Sequence, residues 1–210
     1  MKKTMGILLL MFALAVFSLA ADVLIYEANF DKTDSKKVDW MPVSGEWDII
    51  NSKMVNFDSN HNNTNIYQEL EQFGTGVYIY EYKFIPENRS KEYAPAAGLH
   101  FMASDGENAS RGDSYLIFQD ANETQIYRSR NGILGSAIVQ KPGFGCALGK
   151  ETVIRIEYDN TTGLIVVYVN GKKAAEWTDN EPIEEGLFIS LRSNGTAVSY
   201  DYVKVWFRKK

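Results

Sequence analysis

The sequence predicts an all-β fold, an antiparallel two-sheet sandwich, on three observations. Its apolar runs are short, rich in β-branched and aromatic residues, and bounded by turn residues. No stretch sustains the 3.6-residue periodicity of an amphipathic helix. The runs recur at sandwich spacing, without a repeat, low-complexity tract or interdomain linker.

Residues 1–20 read as a secretory signal. Lys2 and Lys3 give the positive start, and 6–17 form an apolar stretch shorter than the ~20 residues of a membrane span. Ser18-Leu19-Ala20 places small residues before a cut at Ala21. The expected location is therefore secreted or periplasmic, within the cell envelope. No cysteine follows the cut to carry a lipid, and no later segment is apolar enough to span a membrane. Residues 21–210 suit a single β-sandwich domain.

Along that domain, 23–26 is the first strand. Residues 47–50 and 53–57 form a hairpin around Asn51-Ser52, and 65–70 is a further strand. In 76–84, Val77, Ile79 and Glu81 alternate with Tyr78, Tyr80, Tyr82 and Phe84. Pro86 is expected to end that strand, having no amide to give the ladder. Strands at 97–102, 115–119 and 124–128 follow. Residues 152–158 turn through 159–163 into 164–169, and Asn170-Gly171 makes a type I′ turn into 172–177. Residues 187–192 and 200–207 complete the set. The irregular stretches 87–95, 104–113 and 131–150 are where loops would carry binding.

Charge narrows the function. Without Lys2 and Lys3, 20 basic side chains face 27 acidic ones, a net charge of −7. Bulk attraction to nucleic acid is excluded. Cys146 is the only cysteine, so stability rests on the core without a disulfide. No basic residue adjoins Cys146, so it reads as an inert buried thiol.

Several motifs occur in a telling order. Phe30-Asp31 precedes Ser44-Gly45-Glu46-Trp47-Asp48-Ile49; then come Ile154-Arg155-Ile156-Glu157-Tyr158-Asp159, Tyr168-Val169-Asn170-Gly171-Lys172 and Tyr200-Asp201-Tyr202-Val203-Lys204-Val205-Trp206. Over most of 27–207 this succession resembles the concanavalin A-like jelly rolls, in particular laminin-G-like and 3-keto-disaccharide hydrolase-like domains of exported bacterial proteins. The final segment is similar to the closing strand of family-sixteen glycoside hydrolases, the laminarinase and lichenase group. In that group the matching aspartate helps bind a structural calcium with main-chain carbonyls, one on the glycine before the tryptophan. The resemblance thus implies Ca²⁺ on Asp201 and Gly45, with Asp31 as a further carboxylate. Read from the residues alone, Asp201 holds a metal, faces solvent or pairs with a nearby Lys or Arg.

The same resemblance bears on catalysis. Family-sixteen hydrolases act through an E-x-D-x-x-E strand, whose alternation brings carboxylates to one face. This sequence lacks it. Glu46/Asp48, Glu69/Glu71 and Glu157/Asp159 have co-facial spacing, and each has a plainer role in a turn, a strand end or a solvated face. In the keto-hydrolase-like relatives an arginine stands near Met102 and the next strand is polar. Here 115–119 is mostly apolar, which weighs against a shared hydrolytic activity.

His61 lies in a polar loop. His100 lies in a strand similar to the one lining the concave face of these jelly rolls, with Leu99 and Phe101 inward and Gly98, His100 and Met102 toward the groove. Arg111-Gly112-Asp113-Ser114 matches an adhesion tetrapeptide and reads as a loop turn, and six N-x-S/T sequons fall in exposed turns. Aromatic rings beside Arg, Asn and Gln suit sugar recognition. The expected ligand-binding residues are His100, Tyr127, Arg128 and Arg130, with Tyr93 and Trp177. The reading is an exported, non-catalytic carbohydrate-binding (lectin-like) module with a polysaccharide or glycan partner. The alternatives are a glycoside-processing hydrolase with unrecognised catalytic residues, or an envelope structural or protein-interaction domain.

Overall fold

The computed structural model of the protein describes residues 21–31, 40–89 and 96–210. The signal segment and Tyr93 lie outside them. In chain order the described strands are β1 (Val23–Ala28), β2 (Met41–Ser44), β3 (Trp47–Ile50), β4 (Lys53–Asn56), β5 (Thr64–Gln72), β6 (Gly76–Arg89), β7 (Ala96–Ala103) and β8 (Ser114–Gln119). They continue as β9 (Glu123–Arg130), β10 (Ile133–Leu134), β11 (Val139–Pro142), β12 (Thr152–Asp159), β13 (Leu164–Val169), β14 (Lys172–Thr178), β15 (Gly186–Asn194) and β16 (Thr196–Lys209). The expected strands are all present. β2, β10 and β11 are additions, the last two being short pairings with β9 inside the stretch expected to be irregular.

The strands form two antiparallel sheets. The first runs β14-β13-β12-β6-β16-β4-β3, with β1 also on β16. The second runs β10-β9-β8-β7-β15-β5-β2, with β11 on β9. The core lies between them. Tyr78, Tyr80, Tyr82 and Phe84 of β6 face inward as the alternation requires, joined by Ile154, Ile156 and Tyr158 of β12 and Val203 and Val205 of β16. Leu99, Phe101, Tyr115, Ile117, Ile126, Ile189 and Leu191 answer from the second sheet. Tyr80 and Phe101 meet with ring centroids 4.7 Å apart. Each such side chain contributes about 1.5–3 kcal/mol on burial. Cys146 is buried with its thiol pushed up to about 12 by desolvation, the inert state expected of it.

Two expectations are corrected. β6 does not stop at Pro86 but runs on to Arg89. Opposite Ala197 and Val198 the ladder jumps from Asn88 to Pro86, so the missing amide falls at a bulge. Met102 belongs to the core, not the groove side. Its backbone is left-handed (φ 50°), which breaks the alternation after Phe101, and Gln72 Oε1 accepts its amide at 3.2 Å.

At one end of the sandwich, Arg128 of β9 forms an ion pair with the buried Asp179 just after β14. Tyr115 Oη donates to Asp179 Oδ2 (2.8 Å) and accepts from the Ile183 amide (3.1 Å). This network pins the connection between β14 and β15 over the core. Removing one partner of a buried ion pair costs about 3–5 kcal/mol, because the other charge is stranded. Asp179→Ala is therefore expected to lower the unfolding free energy by roughly that amount in urea titration. A change under 1 kcal/mol would show that the pair does not hold this end.

Candidate functional site on the outer face of the second sheet

Cross-strand partners in an antiparallel sheet point the same way, so register defines the surface. One row on the outer face reads Tyr67 (β5), Ser190 (β15), His100 (β7), Leu116 (β8) and Tyr127 (β9). The adjacent row reads Asn65, Arg192, Gly98, Phe118 and Gln125. A Cβ on Gly98 would stand 2.3 Å from the Ile117 carbonyl oxygen and 2.7 Å from the Phe118 ring, so only glycine permits this close pairing. The Arg192 guanidinium lies over Phe118, 5.6 Å from the ring centroid.

The turn between β7 and β8 adds Arg111, whose residue is fully buried. Its Nη1 donates to the carbonyls of Gly106 and Asn108, and its Nε donates to Ser190 Oγ at 3.1 Å. Gly106 lies against the Tyr67 ring. The loop is thus folded around its own arginine and closes one end of the rows.

His100 has no solvent exposure. Ser114 Oγ gives its proton to the Ser110 carbonyl (3.0 Å) and so accepts from His100 Nδ1–H at 3.1 Å. That assignment leaves Nε2 as an acceptor, and it has no partner among the described residues. Desolvation, with the Arg192 and Arg111 charges behind it, holds His100 well below the ordinary histidine range. Desolvation also lowers Arg111 and Arg192, each to about 10.

The structure separates residues that the sequence groups. His100 and Tyr127 share the outer face, where Tyr127 is half-buried and donates to Gln125 Oε1 (2.6 Å). Arg128 and Arg130 leave β9 on the opposite side: Arg128 serves the Asp179 network, and Arg130 pairs with Glu181 at 2.7 Å. Adjacent strand residues must diverge in this way. Trp177 packs edge-on against Tyr115 (6.1 Å) at the core margin. Sequence reading missed Asn65, Tyr67, Arg111, Ser190 and Arg192. Arg192 was accessible through its alternation with Leu191, whereas Arg111, in a loop, carries no periodic signal.

The paired carboxylates have ordinary surroundings. Glu69 and Glu71 are exposed at the end of β5, so water rather than burial sets their charge. Asp48 accepts from the Ile49 amide (2.7 Å), Glu157 pairs with Arg155 (3.1 Å) and Asp159 with Lys210.

Asp201 sits where β16 bulges between Tyr200 and Tyr202. Its carboxylate pairs with Lys83 (2.5 Å) and Lys53 (3.9 Å). Gly45 is explained by packing: φ is +86°, and a Cβ there would lie 2.7 Å from Thr64 Cβ. Among the described residues no three His, Cys, Asp or Glu converge as a metal set. The two ammonium groups on Asp201 compete with the calcium expected on Asp201, Gly45 and Asp31.

No family model matches the chain, and no curated protein matches it. Solved structures do. The carbohydrate binding module CBM66 from Bacillus subtilis is 16% identical, with a TM-score of 0.63, covering 77% of this chain and 91% of that one. The Bacillus licheniformis β-glucanase is 14% identical (TM-score 0.61), covering 90% and 99%. The Emp46p carbohydrate recognition domain, in its metal-free form, is 9% identical (TM-score 0.64), covering 87% and 94%. At such identities the likeness establishes the fold alone, an antiparallel two-sheet jelly roll of the concanavalin A-like kind.

Two measurements probe this region. Thermal unfolding in EDTA and in added Ca²⁺ is expected to give the same midpoint; an EDTA-sensitive midpoint that Asp201→Asn abolishes would put calcium on this strand. The second is pH dependence. Below about pH 6.5 the unfolded chain takes up a proton that folded His100 refuses, so stability present above that pH is lost on acidification, by up to ~1.4 kcal/mol per pH unit. His100→Asn is expected to flatten the urea-derived slope between about pH 6.5 and 5; an unchanged slope would mean that His100 protonates in place.

Proposed function

We propose that the chain is an exported, non-catalytic carbohydrate-binding module whose glycan lies on the outer face of the second sheet. The observation that carries this reading is the composition of that face. A sheet turned from the core usually shows scattered solvated side chains. Here Tyr67, Phe118 and Tyr127 are interleaved with Asn65, His100, Gln125 and Arg192. Of these rings Tyr127 is the one left half-exposed to stack on the apolar face of a sugar, and the polar groups along the face suit its hydroxyls. Two fold neighbours, the carbohydrate binding module CBM66 and the Emp46p carbohydrate recognition domain, support the same reading. Glu46, Asp48, Glu69 and Glu71 are exposed, and Glu157 and Asp159 are held by Arg155 and Lys210, which supports binding without hydrolysis. The signal-like character of residues 1–20 supports export.

Polysaccharide pull-down and glycan-array binding with residues 21–210 test it. Tyr127→Ala is expected to weaken binding by roughly three- to tenfold. Arg130→Ala, on the far side of β9, is expected to leave binding unchanged. Failure to bind any polysaccharide, or equal effects of the two substitutions, would overturn the assignment of this face. Release of reducing sugar from a bound polysaccharide would overturn the non-catalytic part.

A further inference from the structure

Four buried polar atoms on or bordering this face have no hydrogen-bond partner among the described residues: Asn65 Oδ1, His100 Nε2, Arg111 Nη2 and Arg192 Nε. They belong to neighbouring positions. Ser190 stands directly opposite His100 and accepts from Arg111, while Arg192 follows two residues on, on the same face and opposite Gly98. Neither arginine has a carboxylate within ion-pair distance among the described residues. The other arginines on β9 and β12 do: Arg128 has Asp179, Arg130 has Glu181 and Arg155 has Glu157. Asp105, the carboxylate on Arg111's own loop, spends Oδ1 on the amides of Glu107 and Asn108.

Leaving a buried guanidinium unpaired is costly, and leaving two side by side more so. Such a pair becomes favourable when an anion arrives between them, and a planar guanidinium grips a carboxylate through two parallel hydrogen bonds. The remaining two atoms are of the opposite kind. Asn65 Oδ1 is an acceptor, and His100 Nε2 is one in the tautomer that Ser114 selects. Acceptors would repel a carboxylate but receive hydroxyl protons. A ligand that answers all four carries a carboxylate and neighbouring hydroxyls on one small ring.

We propose that this face binds an acidic saccharide, a uronic-acid unit, with its carboxylate on Arg192 and Arg111 and its hydroxyls on His100 Nε2 and Asn65 Oδ1. The assignment rests on the carbohydrate-binding reading and adds the charge of the ligand to it. Arg192 is half-buried where Arg111 and His100 are fully so, and it meets the incoming ligand first. The net negative charge of the chain gives no general attraction for polyanions, so recognition is local, through these two side chains.

Isothermal titration calorimetry of residues 21–210 tests the proposal with four probes: oligogalacturonate, its methyl ester, a neutral oligoglucan and a sulfated oligosaccharide without carboxylates. Oligogalacturonate is expected to bind at least roughly tenfold more tightly than its methyl ester and than the sulfated probe. Arg192→Gln is expected to remove that preference while the thermal midpoint stays put; Arg192→Lys, which keeps charge but loses the paired geometry, is expected to recover only part of it. Equal binding of acid and ester, or binding of the neutral probe alone, would overturn the acidic-ligand proposal and leave the carbohydrate reading standing. Preference for the sulfated probe would overturn the carboxylate assignment. Heat from none of the four, with no polysaccharide retained in pull-down, would overturn both.

Discussion

The sandwich depends on the pairing of β6 with β16. Both strands are fourteen residues long, they pair along almost their whole length, and more than a hundred residues of chain separate them. β16 also takes β4 and β1 along its other edge, so one strand near the C-terminus holds the first sheet together. No disulfide shares that task. The cohesion comes from the inward rings of β6 and β16, Tyr80, Tyr82, Phe84 and Tyr200, which are fully buried and in contact with one another and with the second sheet. Alternation then fixes everything else. Once the tyrosines of β6 point inward, Glu81 must point out, where Tyr202 Oη donates to it at 3.0 Å.

The same rule makes the second sheet unusual. β7 and β8 are buried on both faces along their whole length. Their inner face meets the aromatic core. Their outer face is shielded by Arg192 over Phe118, by the folded turn around Arg111, and by Tyr127 beside Leu116. Such a sheet has two interiors, one apolar and one furnished with cations and unsatisfied acceptors. Polar groups held in low dielectric interact more strongly than they would on an open surface, which is why a few of them suffice to define a ligand.

Most of the fold was legible in the sequence because strand period and turn chemistry are local. Asn170-Gly171 and Asn51-Ser52, all in left-handed conformations, close the hairpins they announce. What was not legible depended on irregularities. Pro86 lies inside a strand because a bulge absorbs it, and Met102 turns inward because its own backbone departs from the pleat. The site was legible only in part. His100 was readable from its place between Leu99 and Phe101. Pairing Tyr127 with Arg128 put sequence neighbours together where a strand sends them apart. Asp201, an anomaly in an aromatic strand, is accounted for by Lys83 and Lys53, which come from β6 and the start of β4. No single-segment pattern could have shown that.

The loop arginine has one more consequence. Arg111, Gly112 and Asp113 are the first three letters of an adhesion tetrapeptide, in which a basic and an acidic side chain stand two residues apart. Here both Arg111 and Gly112 are left-handed (φ 62°), and the guanidinium is turned into the protein, donating to Gly106 and Asn108. A receptor approaching from solvent would meet Asp113 without its basic partner. The letters of a linear motif are therefore present while the epitope is not, and matching this chain by string alone would assign it to the wrong biology.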